Sequence, residues 1–595
     1  MLDPRIYRTG LALVAMAVLV LAFSLQNQQG AVSSTLAPDA FNGQNVFNTM
    51  VAMAGPNGVQ DRRPGSEGDK SLASSEAISF KRYGFGVTTD VFAGRTADGT
   101  RTLENVVGVR PGIQSGSIVV VAPRDARGSP AVASLSGTAT LTELARDLAG
   151  ETLHRTVVLA STTGSQGMAG ALRLASTLSG PIDAVLVLGD LASSQERQPI
   201  VVPWSTSPNV APPLLRNTVA SELNQQATLT VGGTSLFGQF LHLAFPLTVS
   251  QQAPFGSQGV PAVTISLSGE RGPAPNAPLG GVDQLNAVGR SVLATISALD
   301  TGPSVPAASP YVLLDNKVVP GWAISVFVLA LIVPVLLTTI DGLARARRRG
   351  HAVWRWIAFT LLAAVPFALA VLVVLAARLL GALPAAPAGP TPAGTVPITS
   401  GGIAVLVLAA LVAVASGLLL RPVAVGFARP RARSRGPGRD TAIEGAVVGL
   451  LAVGCLVTFA LWATNPFAAL LVVPGLHLWL VATSPDLRLR FPLRLGLLLA
   501  GLVGLVLVPI YYGATLGYGP VDELWMFALL LAGHGVSVAA IVEWSVFMGC
   551  VLTAAAVLVA LARQPRPEEV PVTVRGPVGY AGPGSLGGTE SALRR

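Results

Sequence analysis

Between Gly321 and Arg563 the chain alternates long apolar runs with short polar breaks. The runs are Gly321–Ile340, Trp356–Ala377, Gly402–Leu420, Ala442–Ala463, Pro466–Thr483, Leu495–Tyr512 and Glu543–Leu561. A helix needs about 20 residues to cross a bilayer, and the hydrocarbon core tolerates only backbone that satisfies its own hydrogen bonds. These segments therefore read as membrane helices. An eighth, Gly10–Leu25, follows Arg5 and Arg8. No small-x-small pattern follows Leu25, so it reads as an uncleaved signal anchor in preference to a signal peptide.

Charge placement orients the helices. The breaks 345–355, 421–441 and 485–494 are rich in arginine, whereas 383–400 and 464–466 hold no charged residue and 513–523 holds only Asp522 and Glu523. Arginine-rich loops face the cytoplasm. Eight crossings then put both termini in the cytoplasm and residues 27–320 outside. Leu524–Ala540 is also apolar, but a ninth crossing would carry Arg563 and Arg566 outside, so a re-entrant or interfacial helix is expected there. Residues 564–595, rich in Pro and Gly, read as a disordered cytoplasmic tail.

The net charge of +9 does not imply nucleic acid. Residues 26–320 carry 18 Lys/Arg against 20 Asp/Glu, and the surplus lies at Arg345–Arg349, Arg429–Arg439 and Arg488–Arg494, beside membrane helices. The partners this implies are the lipid bilayer and a protein or peptide, with no nucleic acid. Cys455 and Cys550 both fall in apolar runs, so the exposed part has no disulfide. It has no Asn-x-Ser/Thr acceptor, and arginine greatly outnumbers lysine, which points to a bacterial plasma membrane.

Residues 27–300 read as an α/β domain. Ser117–Ala122, Thr156–Ala160, Ala184–Leu188 and Ala262–Leu267 are short, nearly all-apolar runs, as strands covered on both faces are. Thr138–Ala149, Met168–Leu178, Pro212–Gln226 and Val282–Leu299 have helical spacing. Alternation of this kind predicts a mostly parallel sheet, with chemistry beyond the strands' carboxyl ends. Residues 301–320, with Pro and Ser, read as a linker to the bundle.

The strand ends carry a resemblance. Arg63-Pro-Gly-Ser66, Tyr83-Gly-Phe-Gly-Val87, Leu103-Glu-Asn-Val-Val107, Pro123-Arg-Asp125, Ser136-Gly-Thr-Ala-Thr-Leu-Thr-Glu143, Ser161-Thr-Thr-Gly-Ser-Gln-Gly167, Val187-Leu-Gly-Asp190 and Ser250-Gln-Gln-Ala-Pro-Phe255 with Gly259-Val-Pro-Ala262 follow one another in the order and spacing of the M28 zinc aminopeptidases. The resemblance spans about residues 45–300. It implies a two-zinc hydrolase fold whose ligands are two His, two Asp and one Glu, with a catalytic Glu beside the ligand Glu. Carried over by position, the first His is Pro123, the bridging Asp is Ala133, the catalytic Glu is Gly164, the ligand Glu is Ser165 and the last His is Gln252. Asp190 remains among ligands and Asp125 among supporting residues. Such a set implies no metal, no cofactor and no catalytic residue: a pseudopeptidase that holds a polypeptide or partner protein.

Asp125 and Asp190 have a plainer reading as caps of the helices behind their strands. His154 and His242 fall outside the ligand positions and read as a surface and a helix-borne histidine. In the membrane part, His477, His534 and Glu543 form a candidate polar site, while Asp341, Arg378 and Glu444 lie near span ends and reach the interface. Anchor, degenerate domain and following helices are similar in plan to the GPI-anchor attachment subunit of GPI transamidase. Two other classes stay open: an active M28-type membrane aminopeptidase with non-standard ligands, and a transporter or channel.

Overall fold

The computed structural model describes residues 4–34, 38–55, 61–126, 132–274, 276–428, 440–487 and 489–563, and for 422–428 and 440–444 the backbone alone. Helix α1 (Pro4–Phe23) leads to a two-residue strand, β1 (Gln26–Asn27). In α2 (Gly43–Ala54) the Asn42 side chain accepts from the Gln44 and Asn45 amides. In α3 (Glu67–Arg82) Ser66 accepts from the Asp69 amide, with Glu67 and Asp69 in the first turn and Lys81 and Arg82 in the last. Both N-caps thus satisfy orphan amides, and the end charges of α3 oppose its helix dipole.

A hairpin follows, β2 (Gly86–Thr96) and β3 (Gly99–Arg110). Then come β4 (Ser117–Pro123), α4 (Ser136–Asp147), β5 (Thr156–Thr162), α5 (Ala169–Thr177), β6 (Ile182–Leu188), β7 (Val201–Val202), α6 (Pro213–Ala227), α7 (Leu236–Ala244), α8 (Ala253–Ser257), β8 (Ala262–Ile265) and α9 (Val282–Thr301). The sheet order is β2-β3-β5-β4-β6-β8-β7. Strands β5, β4, β6 and β8 run parallel, whereas β2, β3 and β7 are antiparallel additions at the two edges. The mostly parallel sheet expected from sequence is therefore a mixed sheet with a parallel centre. The period of two divides the buried residues: Ile118, Val120 and Ala122 join the core with Leu141 and Val292, while Val119 and Val121 pack with Leu174 and Phe255 on the other face.

The segment read as a linker is ordered. Strands β9 (Tyr311–Leu314) and β10 (Lys317–Pro320) form a hairpin, and β10 also pairs with β1. Its two-residue turn is Asp315-Asn316, with Asp315 at φ 53°. Such turns need the left-handed region, which Asp and Asn tolerate. The three-stranded sheet ties together the segments that leave α1 and enter the bundle.

The bundle comprises α10 (Gly321–Arg348), α11 (Val353–Leu379), α12 (Ser400–Ala428), α13 (Asp440–Thr464), α14 (Pro466–Thr483), α15 (Phe491–Ala500), α16 (Val503–Leu516), α17 (Pro520–Ala532) and α18 (Val538–Ala562). Among the described residues seven helices, α1 included, are long and apolar enough to cross a membrane, and α15 with α16 makes an eighth if the pair is one span. That pair, read from sequence as one crossing, is bent by 47°. At the bend the Trp479 indole donates to the Leu498 carbonyl (3.2 Å), and a side chain entering the ladder is a common cause of a break. Helix α17, at 13 residues, is about 20 Å long and too short to cross. Helix α1 lies against α10, where a Cβ at Gly10 would come within 2.6 Å of Pro334 Cα. Only glycine permits that approach.

The loops low in charge meet the exposed domain. Ala388 N donates to the Arg95 carbonyl, Asn465 Nδ2 donates to the Leu243 and Ala244 carbonyls (2.8 and 3.2 Å), and Arg271 donates to the Ala514 and Thr515 carbonyls (2.5 and 2.7 Å). Arg95 also donates to Gly533 O, which places the end of α17 on this face. One arginine of the arginine-rich loops has a structural role. Arg494, 6% exposed, donates to the carbonyls of Ala482, Ser484, Leu487 and Leu489 and so closes the α14–α15 turn. Residues 429–439 and 564–595 lie outside the described part, as does the Glu444 side chain.

Candidate functional site

A cavity of about 650 Å³ opens beyond the carboxyl ends of β4, β6 and β8. Pro123, Asp125, Ser165 and Asp190 line it, so four of the positions singled out in the sequence share one pocket. Gln251, Glu270 and Arg271 line the far wall. The fourth wall comes from the bundle: Pro392, Ala393, Gly394, Thr395 and Pro397, on the α11–α12 loop. The site is composite, built mostly by the α/β domain and closed on one side by the α11–α12 loop.

Asp125 is 6% exposed, and both its oxygens lie 3.0 Å from the Ser165 amide, with Oδ2 also accepting from the Ser165 hydroxyl (3.0 Å). It does not cap the helix behind its own strand, as its plainer reading supposed; it holds the turn after β5. Burial, with Asp69 nearby, pushes its carboxyl up to about 7 against the Ser165 bonds. Asp190, 2% exposed, accepts from the Ala192 and Ser193 amides (3.0 Å each) and from the Ser193 hydroxyl. It closes its own turn, and burial raises its pKa.

Beside them Arg124, fully buried, pairs with Asp69 of α3 (Nε to Oδ1 2.8 Å) and donates to the carbonyls of Glu104 and Ser161 (2.5 and 3.0 Å). Asp69 Oδ2 accepts in turn from the Gly65 amide and the Thr163 hydroxyl (2.8 and 2.7 Å). This pair fastens α3 to the middle of β3 and the ends of β4 and β5, under the pocket floor. Glu76, two turns further along α3's buried face and fully enclosed, accepts from Thr142 (2.9 Å), and burial lifts it to about 8.

The remaining positions lie off the pocket wall. Ala133 is fully buried in the main core. Gly164 has φ 73°, and a Cβ there would sit 3.0 Å from both Ala169 Cβ and Leu103 Cδ1. A glutamate at that place would be strained in backbone and crowded in side chain. Gln252 is fully buried, its Nε2 donating to Trp204 O (2.8 Å) and its Oε1 accepting from Thr264 (2.5 Å). Its neighbour Gln251 faces the pocket instead, with Nε2 donating to Ser165 O (2.7 Å). The sequence reading missed Gln251, Glu270, Arg271 and the loop wall. For Glu270 and Arg271 a signal existed, since Ser268-Gly-Glu-Arg-Gly272 follows β8 at the end where ligands are expected. Glu270 accepts from the Val249 amide (3.1 Å), and burial pushes it up to about 7.

His154 is half-exposed and pairs with Asp300 (3.1 Å). His242 is buried where the domain meets the bundle, stacked on Trp204 at 4.4 Å and edge-on to Tyr511 and Tyr512. Burial pushes its pKa down to about 3, so it is neutral. The three intramembrane candidates have separate surroundings. His477 lies 2.5 Å from the Tyr7 hydroxyl and 2.9 Å from Leu331 O, joining α14 to α1 and α10. Glu543 accepts from Thr464 (3.3 Å), and His534 is exposed at φ 60° in the turn before α18. Asp341 pairs with Arg345 one turn on.

No family model matches the sequence, and no curated protein matches it. Solved structures similar to the exposed domain include the glutaminyl cyclase of Porphyromonas gingivalis (16% identity, 43% of this chain and 98% of that one, TM-score 0.33). BSAP, a zinc aminopeptidase from Bacillus subtilis, is 11% identical over 45% of this chain and 98% of that one, TM-score 0.36. The LapA aminopeptidase of Legionella pneumophila is 15% identical over 45% of this chain and 74% of that one, TM-score 0.34. Likeness this slight identifies neither chemistry nor ligand for this chain.

Proposed function

We propose that this chain is a membrane-anchored pseudopeptidase, whose M28-like domain binds a polypeptide or partner protein in the composite pocket without cutting it. The observation that carries the reading is how the pocket's polar groups are already engaged. Hydrolysis by two zinc ions needs imidazole and carboxylate donors free to ligate, and a base beside the bridging water. Here a proline ends β4, Asp125 and Asp190 each hold a turn through backbone amides, and Gln252 has both amide atoms bonded inside the core. Such a set does not fit a pair of zinc ions. At Gly164 a base would be strained in backbone and crowded by Ala169 and Leu103.

Binding remains. The α11–α12 loop contributes a wall to the cavity and so joins it to the bundle, which suits a polypeptide running along the outer face of a plasma membrane. The similarity in plan to the GPI-anchor attachment subunit is architectural and lends the reading no residue. The test is direct. Full-length protein in mild detergent is incubated with a mixed peptide library, with and without added zinc. Retention of intact peptides supports the proposal; release of amino acids that a chelator abolishes overturns it in favour of an active aminopeptidase.

A further inference from the structure

We infer that the pocket takes a basic side chain of its polypeptide partner, the ammonium of a lysine or the guanidinium of an arginine set between Gln251 and Glu270. The inference rests on the reading above that the pocket binds and adds the chemistry of what it binds.

Three carboxyl groups, Asp125, Asp190 and Glu270, line one cavity. A separate observation says what they await. Gln251 is 6% exposed, its Nε2 is engaged by Ser165 O, and its Oε1 has no hydrogen-bond partner among the described residues. The Gln166 Oε1, on the same wall, has none either. A sequestered acceptor without a donor is unfavourable, and a donor-rich ligand relieves it. Two unpartnered acceptors therefore face this surface beside carboxyl groups whose ionised form a neighbouring cation favours.

The one Lys or Arg among the described residues lining the cavity is Arg271, and it is turned to the Ala514 and Thr515 carbonyls at the end of α16. That argues against a phosphate-bearing ligand such as a lipid headgroup. Val187, Val249 and Pro392 add apolar wall, which suits the alkyl stem behind a charged head. Lysine brings three donors and arginine five, so either can meet Gln251 Oε1 and a carboxylate at once.

The experiment is fluorescence anisotropy on the full-length protein in detergent, with hexamers of lysine, arginine, serine and glutamate that have free N-termini and a dye at the C-terminus. The basic hexamers bind about tenfold or more tighter than the others, as a charge-assisted contact in a partly desolvated site should give. Glu270→Gln removes most of that preference. Gln251→Glu, similar in shape and more negative, strengthens lysine binding several-fold, a gain that misfolding does not mimic. Equal affinity for basic and acidic hexamers, or a preference that both variants leave unchanged, overturns the inference. So does displacement by glycerophosphoethanolamine at lower concentration than by N-acetyl-lysine amide, which would make the ligand a lipid headgroup. Mass spectrometry of the recovered hexamers separates the two proposals. Cleaved peptide with the charge preference intact sinks only the binding reading, and intact peptide without preference sinks only this one.

Discussion

Replacing Arg124 with methionine tests whether the pocket floor depends on the Asp69–Arg124 pair. Arg124→Met keeps most of the side chain's length and removes the guanidinium. Asp69, 1% exposed, then keeps only the Gly65 amide and the Thr163 hydroxyl, and the carbonyls of Glu104 and Ser161 lose a donor. Breaking a buried ion pair by removing one partner costs about 3–5 kcal/mol, because the other charge stays buried and uncompensated. Asp69→Asn in the same background removes that charge, so the double variant should recover about 1–3 kcal/mol of the loss. Hydrogen exchange by mass spectrometry on the full chain reads this locally, through amides of β3, β4 and α3. Thermal melting reads it globally, with a fall on the order of 10 °C for the single variant, at roughly 2–4 °C per kcal/mol. Arg124→Met melting within 2 °C of the parent, or a double variant that loses the sum of both single effects, would refute the reasoning.

Acid–base behaviour gives a second prediction. The carboxyls of Asp125 and Glu76 titrate well above their unfolded range, at about 7 and about 8, because they are buried. The folded state then holds more protons than the unfolded one from about pH 4 upward, so their contribution is full below that pH and is lost as pH rises through 7 to 8. Asp125→Asn should flatten the fall in melting temperature between pH 5 and 8; a steeper fall in the variant contradicts it. His242 has the opposite sign: with its pKa lowered to about 3, it contributes above its unfolded value of about 6.5 and loses that as pH falls. His242→Phe, which keeps an aromatic ring against Trp204, should melt less acid-sensitively below pH 6, and unchanged sensitivity speaks against it. Arg271→Ala should raise hydrogen exchange at residues 514–518 and lower stability by about 0.5–1.5 kcal/mol through the lost bonds to two exposed helix-end carbonyls. Exchange unaltered there removes the proposed link between pocket wall and bundle.

The parallel centre of the sheet was legible because its strands are short β-branched runs that nothing but a doubly covered strand explains: Ser117–Ala122 is observed as Ser117–Pro123 and Ala184–Leu188 as Ile182–Leu188. The spans were legible for an equally strong reason, the cost of bare backbone in lipid. What escaped depended on distance along the chain. Tyr311–Pro320 reads as loose sequence until β1, nearly 300 residues earlier, pairs with it. Nothing in Gln251-Gln252 says which amide turns outward; the start of α8 and the Trp204 carbonyl decide it. The α11–α12 loop, uncharged and proline-rich, looked like a plain connection, and only the docked domain makes it a pocket wall. His477 and Glu543, suspected together, belong to different helix contacts, because a bundle separates residues that a linear scan places near one another.

The metal content of the intact protein bears most directly on the reading of a pocket without hydrolase chemistry. Full-length chain purified from zinc-supplemented cells, desalted and assayed by inductively coupled plasma mass spectrometry, should carry well under one zinc per chain, with no change in Asp190→Asn. Two zinc ions per chain, lost on that substitution, would contradict it.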